Sequence, residues 1–309
     1  MKTSRITPAD LHRSVVAVPP LCRNADQTLS TEENAKLIRH MEAGGIRTLL
    51  YGGNANLYHI AVSEYAALLS MLAETAGEET LIVPAVGPMY GTMMDQAAIL
   101  RDFQFPTAML LPTLFPAQPA GVATAIRRFV EKAGIPAVLY MKEANYITTE
   151  LAQKLVDDGL ISWIKYAIVR EDPSDDPILR DLVGRVDPQL IVSGIGEQPA
   201  IIHMRDFGCV GYTAGCVCIA PQLSMNLLAA IDAGDFTAAE NLREKFKPLE
   251  DLRNAHSPIL VLHHAVELAG IAATGAPLPL LNGLPDALLP GIQSTAQDLL
   301  KLEQQARTS

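Results

Sequence analysis

The sequence predicts an α/β fold, a (β/α)8 barrel with a C-terminal helical extension, and three observations carry that prediction. The 309-residue chain repeats one unit, an amphipathic segment, a glycine or proline, then five to eight apolar residues. Eight apolar runs of strand length precede about residue 218. No glycine-rich dinucleotide fingerprint follows the first run, which argues against a doubly wound sheet; "SGIGEQPA" near residue 193 is a fragment that arrives too late.

The runs, in order, are "SVVAVPP", "IRTLLYGG", "TLIVPAVG", "PTAMLLPT", "PAVLYM", "ISWIKYAI", "LIVSGIG" and "VGYTAGC". The helical pattern between the first two opens on Ser30-Thr31-Glu32-Glu33, which reads as a capping box, and stops at Gly44-Gly45. "IRRFVEKAGIP", "AQKLVDDGL" and "AIIHMRDFG" repeat the arrangement. Helices alternating with strands on short connections imply parallel pairing, because each crossover returns the chain to the same edge. Eight units of about 25 residues suit a closed barrel. After about residue 222 the pattern is helical, in "LSMNLLAAIDAG", "FTAAENLREKFKPLEDLR", "SPILVLHHAVELAG" and "LPGIQSTAQDLLKLEQQ". Residues 1–222 therefore read as the barrel core. Residues 223–309 read as its eighth helix plus the extension, one domain overall.

Composition excludes several functions. A net charge of −10, with no lysine or arginine run, leaves nothing to attract nucleic acid or an anionic membrane surface. The N-terminus lacks a secretory cleavage pattern and no 18-residue apolar span follows, so a cytoplasmic protein is expected. Four cysteines are too few for a disulfide framework. Cys216 and Cys218 read as core side chains of a buried strand. His263 and His264 point about 100° apart on a helix and do not converge on one ion. Glu197 stands alone at the seventh strand end, so no metal site is expected.

One residue resists a purely structural account. Lys165 interrupts the apolar sixth run, where a charged amine loses several kcal/mol of hydration as an order of magnitude. Strand alternation puts it on the face of Trp163 and Ala167, pointing into the barrel, with Ile164, Tyr166 and Ile168 facing the helices. Desolvation lowers an amine's pKa and yields a nucleophile for carbonyl carbon. Tyr140, on the preceding run, can turn inward beside it and move protons. A lysine snorkelling from a strand end and a core tyrosine would fit the same pattern.

Four segments carry a resemblance: "YGGNAN", "AVLYM", "WIKYA" and "IVSGIGEQ", with Lys165 following Tyr140 by 25 residues. Over nearly its whole length the chain resembles the dihydrodipicolinate synthase and N-acetylneuraminate lyase family of Schiff-base-forming barrels. The resemblance implies that Lys165 is the imine lysine and Tyr140 the acid/base. It implies a carboxylate seat at Gly53 and Asn54, and substrate contacts at Gly194, Thr213 and Asn145. It also implies a 2-oxo acid as the small-molecule partner, no cofactor, and a homotetramer built as a dimer of dimers.

The departures are specific. The family's paired hydroxyl residues after the second strand are Gly53 and Asn54 here, and its following Gly-Glu is Ala55-Asn56. Leu114 replaces a tyrosine that synthases extend into a neighbouring subunit. Asn145 replaces the synthases' carboxylate-binding arginine, which removes the partner for a diacid or aldehyde-acid. Gly-Gly at the second strand end, a leucine after the fourth and the asparagine of "ANYI" resemble the branch that dehydrates keto-deoxy sugar acids. A 2-keto-3-deoxy sugar acid dehydratase is the expected activity. A pyruvate-forming aldolase and a non-catalytic 2-oxo-acid-binding protein are the alternatives.

Overall fold

A computed structural model of the chain describes residues 1–308. Eight parallel strands close into one barrel in the order of the sequence. They are β1 (Val16–Ala17), β2 (Thr48–Tyr51), β3 (Leu81–Val86), β4 (Ala108–Leu110), β5 (Ala137–Met141), β6 (Ile161–Tyr166), β7 (Ile191–Ser193) and β8 (Gly211–Ala214). Closure is made by β1 and β8, with Val16 opposite Thr213. Every predicted run supplies one strand. Most strand residues are buried on both faces, as expected where helices cover one side and the barrel interior the other.

A short α1 (Pro8–His12) precedes the barrel, and α2 (Thr31–Ala43), α3 (Val62–Thr75), α4 (Tyr90–Leu100) and α5 (Pro119–Ala133) alternate with the strands. The ring continues with α6 (Thr149–Asp157), α7 (Pro177–Val183), α8 (Ala200–Phe207) and α9 (Pro221–Asp232). Proline opens α5, α7 and α9, where its missing N–H is no loss. Side-chain oxygens of Thr148 and Asp176 cap α6 and α7.

Only half of the predicted capping box forms on α2. The Ser30 hydroxyl accepts from the Glu33 N–H at 3.4 Å, but the Ser30 N–H already donates to the Cys22 carbonyl. The Glu33 carboxylate instead meets Lys36 at 2.6 Å and the Ala273 N–H at 2.7 Å.

Beyond α9 lie α10 (Phe236–Ala255), α11 (Pro258–Leu268) and α12 (Leu289–Thr308). The extension is tied back to the barrel by one buried carboxylate. Glu303 on α12 accepts the N–H groups of Gln222 and Leu223 at 3.0 and 2.9 Å, satisfying the first turn of α9 where the helix dipole favours an anion. Among the described residues, no helix is long and apolar enough to cross a membrane.

Cys216 and Cys218 do not lie in a strand. After β8 ends at Ala214, Gly215 turns the backbone, and residues 216–218 form a 3-10 turn in which the Cys218 N–H returns to the Gly215 carbonyl. His263 and His264 are engaged separately, His263 with the Gly275 carbonyl and His264 with the Leu284 N–H.

Candidate active site

The site forms where β5 and β6 run side by side. Their ladder pairs Tyr140 directly with Lys165, so both side chains leave the sheet on the same face. The opposite face of β6 is fixed by Tyr166, whose hydroxyl reaches back at 2.6 Å to Asp176, the cap of α7. Lys165 therefore points inward, with its Nζ 4.4 Å from the centroid of the Tyr140 ring.

Lys165 is 7% exposed and makes no ion pair among the described residues. Burial, followed by the nearby positive charges of Lys142 and Arg253, lowers its pKa from the ordinary 10.5 to about 7. The ring of Tyr140 favours the ammonium by about 1 kcal/mol, less than the desolvation that opposes it. The amine is thus substantially neutral near pH 7 and available as a nucleophile. Burial pushes the Tyr140 phenol upward, with Tyr58 and Glu143 adding to the shift, so Tyr140 carries its proton.

Gly194, on the loop after β7, makes room for the lysine. A Cβ there would stand 2.9 Å from Lys165 Cγ and 2.8 Å from the Tyr166 carbonyl. Its own N–H donates to that carbonyl at 2.6 Å and is not free to seat a ligand.

Gly53 and Asn54 follow β2, and among the described residues neither backbone N–H has an acceptor. The Asn54 amide is committed elsewhere, donating to the Val18 carbonyl beyond β1 at 2.8 Å. Thr213 is buried on β8 between residues that face outward; the Tyr212 hydroxyl donates to Ser224 of α9, so Thr213 is turned to the interior. Asn145 lies apart from this group, exposed in the turn that follows β5. Leu114 is likewise half-exposed, beyond β4.

Sequence reasoning missed two sets of residues here. Tyr58 stands beside Gly53, 3.7 Å from where a Cβ would be, and close enough to Tyr140 and Tyr146 to oppose their ionisation. Nothing in the sequence marks it, because it sits in a 3-10 turn (Leu57–His59) with no strand period.

The second set surrounds Glu197, which is not alone. Its N–H donates to Glu250 of α10 at 3.2 Å, and ligand atoms of Glu197, Glu250 and Cys216 lie within 4.8 Å of one another, all buried. Desolvation raises both carboxyl pKa values; the charge of Glu250 raises Glu197 further, whereas hydrogen bonds from Glu197 hold Glu250 down, so Glu197 is the member that keeps its proton. The Arg253 guanidinium shares this cluster and contacts Cys216, which puts a positive charge where a bound cation would sit.

Two large cavities lie away from the lysine. One of about 970 Å³ opens at the strand N-termini beside Phe103 and Ser162. Another of about 920 Å³ runs between α4 and α5.

The model of the dihydrodipicolinate synthetase family matches residues 12–286. A probable 5-dehydro-4-deoxyglucarate dehydratase of Xanthobacter autotrophicus is 23% identical over 256 residues, covering 79% of this chain and 82% of the relative. Among solved structures, a catalytic lysine mutant of the Ruminococcus gnavus sialic acid aldolase superposes with a TM-score of 0.84 at 14% identity, over 98% of this chain and 99% of that one. The dihydrodipicolinate synthase of Oceanobacillus iheyensis gives 0.81 at 20% identity, over 95% and 97%. With its closed barrel, an inward lysine partnered by a tyrosine, and a family match over most of its length, the chain belongs to the dihydrodipicolinate synthetase family.

Proposed function

We propose that this protein is a Schiff-base lyase that dehydrates a 2-keto-3-deoxy sugar acid. The observation that carries the reading is the buried amine of Lys165 held over the ring of Tyr140, 4.4 Å from its centroid. The neutral amine adds to the C2 carbonyl and water leaves, giving a protonated imine. That cation withdraws electrons from C3, so a C3 proton is lost to a base and an enamine forms. The C4 hydroxyl then departs as water after taking up a proton, and hydrolysis of the imine frees the product.

Tyr140, protonated in the resting site, is the acid/base at these steps. The free N–H groups of Gly53 and Asn54 hold the substrate's C1 carboxylate, while Thr213 and, from its outer turn, Asn145 meet hydroxyls along the chain. Tyr58 replaces the missing hydroxyls of the second strand end as the proton carrier next to Tyr140; its place beside both Gly53 and Tyr140 supports this. Neither a metal nor an organic cofactor enters the scheme. The dehydratase named among the relatives favours loss of water over carbon-carbon cleavage.

The protein assembles as a tetramer built from dimers. Met89, Tyr90 and Phe115 are all at least half exposed and line one groove between α4 and α5, with the half-exposed Leu114 adjoining Phe115 in the chain. Exposed apolar side chains concentrated in this way suit a contact between copies. A cytoplasmic location fits four cysteines that are all unpaired.

The test is a panel of 2-keto-3-deoxy sugar acids, assayed for the dehydrated product and for pyruvate. Dehydration without pyruvate release supports the reading. Pyruvate release would make the protein an aldolase, and turnover of none would leave it a binding protein.

A further inference from the structure

We propose that Lys142 is a second functional lysine of the site, whose cation on the inward face of the β5 end opposes a second positive charge on Lys165 and keeps the nucleophile free for the carbonyl. This deepens the Schiff-base reading and rests on it. Lys142 acts through Lys165 as a positioning residue and needs no contact with substrate.

The β5–β6 ladder places it. Tyr140 pairs with Lys165 and Met141 with Tyr166, and the Ala167 N–H still donates to the Met141 carbonyl at 2.8 Å, so the extended backbone carries on to residue 142. Alternation returns Lys142 to the face of Tyr140, about 7 Å further along toward the C-terminal mouth of the barrel. There it is exposed to solvent and, among the described residues, makes no ion pair. An exposed ammonium keeps its hydration, so it holds its charge without the burial cost that falls on Lys165. Like charges at close quarters disfavour the charged form of the buried member.

The other charged and titratable groups leave this repulsion uncompensated. The β5 end supplies Tyr140 and, in the following turn, Glu143; the segment after β2 supplies Tyr58; α10 supplies Arg253, with Glu197 and Glu250 beside it. Of these charges, Lys142 acts on the amine most, Arg253 next, and no carboxylate offsets them. The repulsion also bears on the step after capture. A protonated imine carries a positive charge that is removed when the C3 proton leaves and the enamine forms. A fixed cation nearby raises the iminium relative to the enamine and so favours that proton transfer.

The test is a carbon-13 NMR titration of the lysine ε-carbons in the intact protein from pH 5 to 10, with Lys165→Ala identifying the Lys165 signal. Rates of trapping by pyruvate and cyanoborohydride are measured on the same preparations. Wild-type Lys165 is expected to titrate near pH 7. Lys142→Gln should raise that midpoint by about 0.5 to 1 pH unit, Lys142→Glu should raise it further, and Lys142→Arg should leave it in place. At pH 7 the trapping rate of Lys142→Gln should fall by about 2- to 5-fold, following the neutral fraction, and at pH 9 it should match wild type. A purely structural role for Lys142 would lower the rate at both pH values and leave the midpoint unmoved. A midpoint unchanged in the Gln and Glu variants, or a wild-type midpoint near 10.5, overturns the proposal while trapping keeps the imine intact. Absence of trapping in the wild-type protein overturns the imine reading, and this proposal with it.

Discussion

Lys165 and Tyr140 are direct register partners on neighbouring strands, and the amine of one lies over the ring of the other at 4.4 Å from its centroid. The arrangement separates two roles. In the proposed mechanism the amine forms the covalent bond, and the phenol, held protonated by burial, handles the protons. Replacing Tyr140 by Phe should therefore lower kcat by about 10²- to 10⁴-fold while imine formation persists, as steady-state rates and trapping in parallel would register. Equal loss of both would place Tyr140 in positioning alone.

The depressed amine pKa has a signed consequence for stability. Folded Lys165 loses its proton near pH 7, whereas the unfolded amine keeps it until about 10.5. Between these values the unfolded state binds more protons, so raising the pH favours the folded state by up to about 1.4 kcal/mol per pH unit. Below pH 7 the full desolvation cost is present. Lys165→Met should accordingly be more stable than wild type, most so below pH 7, with the gap narrowing as pH rises through 7 to 10.5. Denaturant midpoints across that range check it; a gap that widens with pH contradicts the assignment.

The barrel was legible because parallel strands buried on both faces read as continuous apolar runs and the helices between them carry their own caps. Lys165 and Tyr140 were legible for a related reason: strand alternation alone decides which way each side chain points. Tyr58, Glu250 and Arg253 were not. They reach the site from a loop and from a helix over 80 residues beyond Lys165, and no local period records a long-range approach. Glu197 looked isolated in sequence because its partner lies on α10. Gly194 was expected to touch substrate, yet its N–H is engaged with Tyr166 and what it provides is space.

That space makes a further prediction. Gly194→Ala would press a methyl group against the Lys165 stem and the Tyr166 carbonyl, both under 3.0 Å away. Overpacking of this kind costs about 1–3 kcal/mol, and the displaced lysine should form imine more slowly. Thermal unfolding and trapping rates measured on one preparation distinguish this from a neutral loop change.

The Glu197–Glu250 pair predicts an asymmetry between two substitutions. Burial and mutual repulsion raise the folded pKa of Glu197, so its contribution to stability is present at acid pH and is lost as pH rises above the ordinary carboxyl range. Glu197→Gln keeps a donor toward Glu250 and removes that loss, and should match or exceed wild type at pH 8. Glu197→Ala removes the side-chain donor and leaves Glu250 only the backbone N–H of residue 197, and should cost about 1–3 kcal/mol. Unfolding midpoints at pH 5 and pH 8 check both.

Phe115→Glu, on the exposed groove between α4 and α5, should shift the protein toward smaller species in sedimentation velocity without unfolding it. An unchanged distribution would remove this face from the assembly.

The most direct measurement is reduction with borohydride in the presence of pyruvate, followed by peptide mass mapping. One pyruvyl adduct, confined to Lys165 and absent from Lys165→Ala, is the result this account predicts. An unmodified protein, or an adduct that survives in Lys165→Ala, would contradict it.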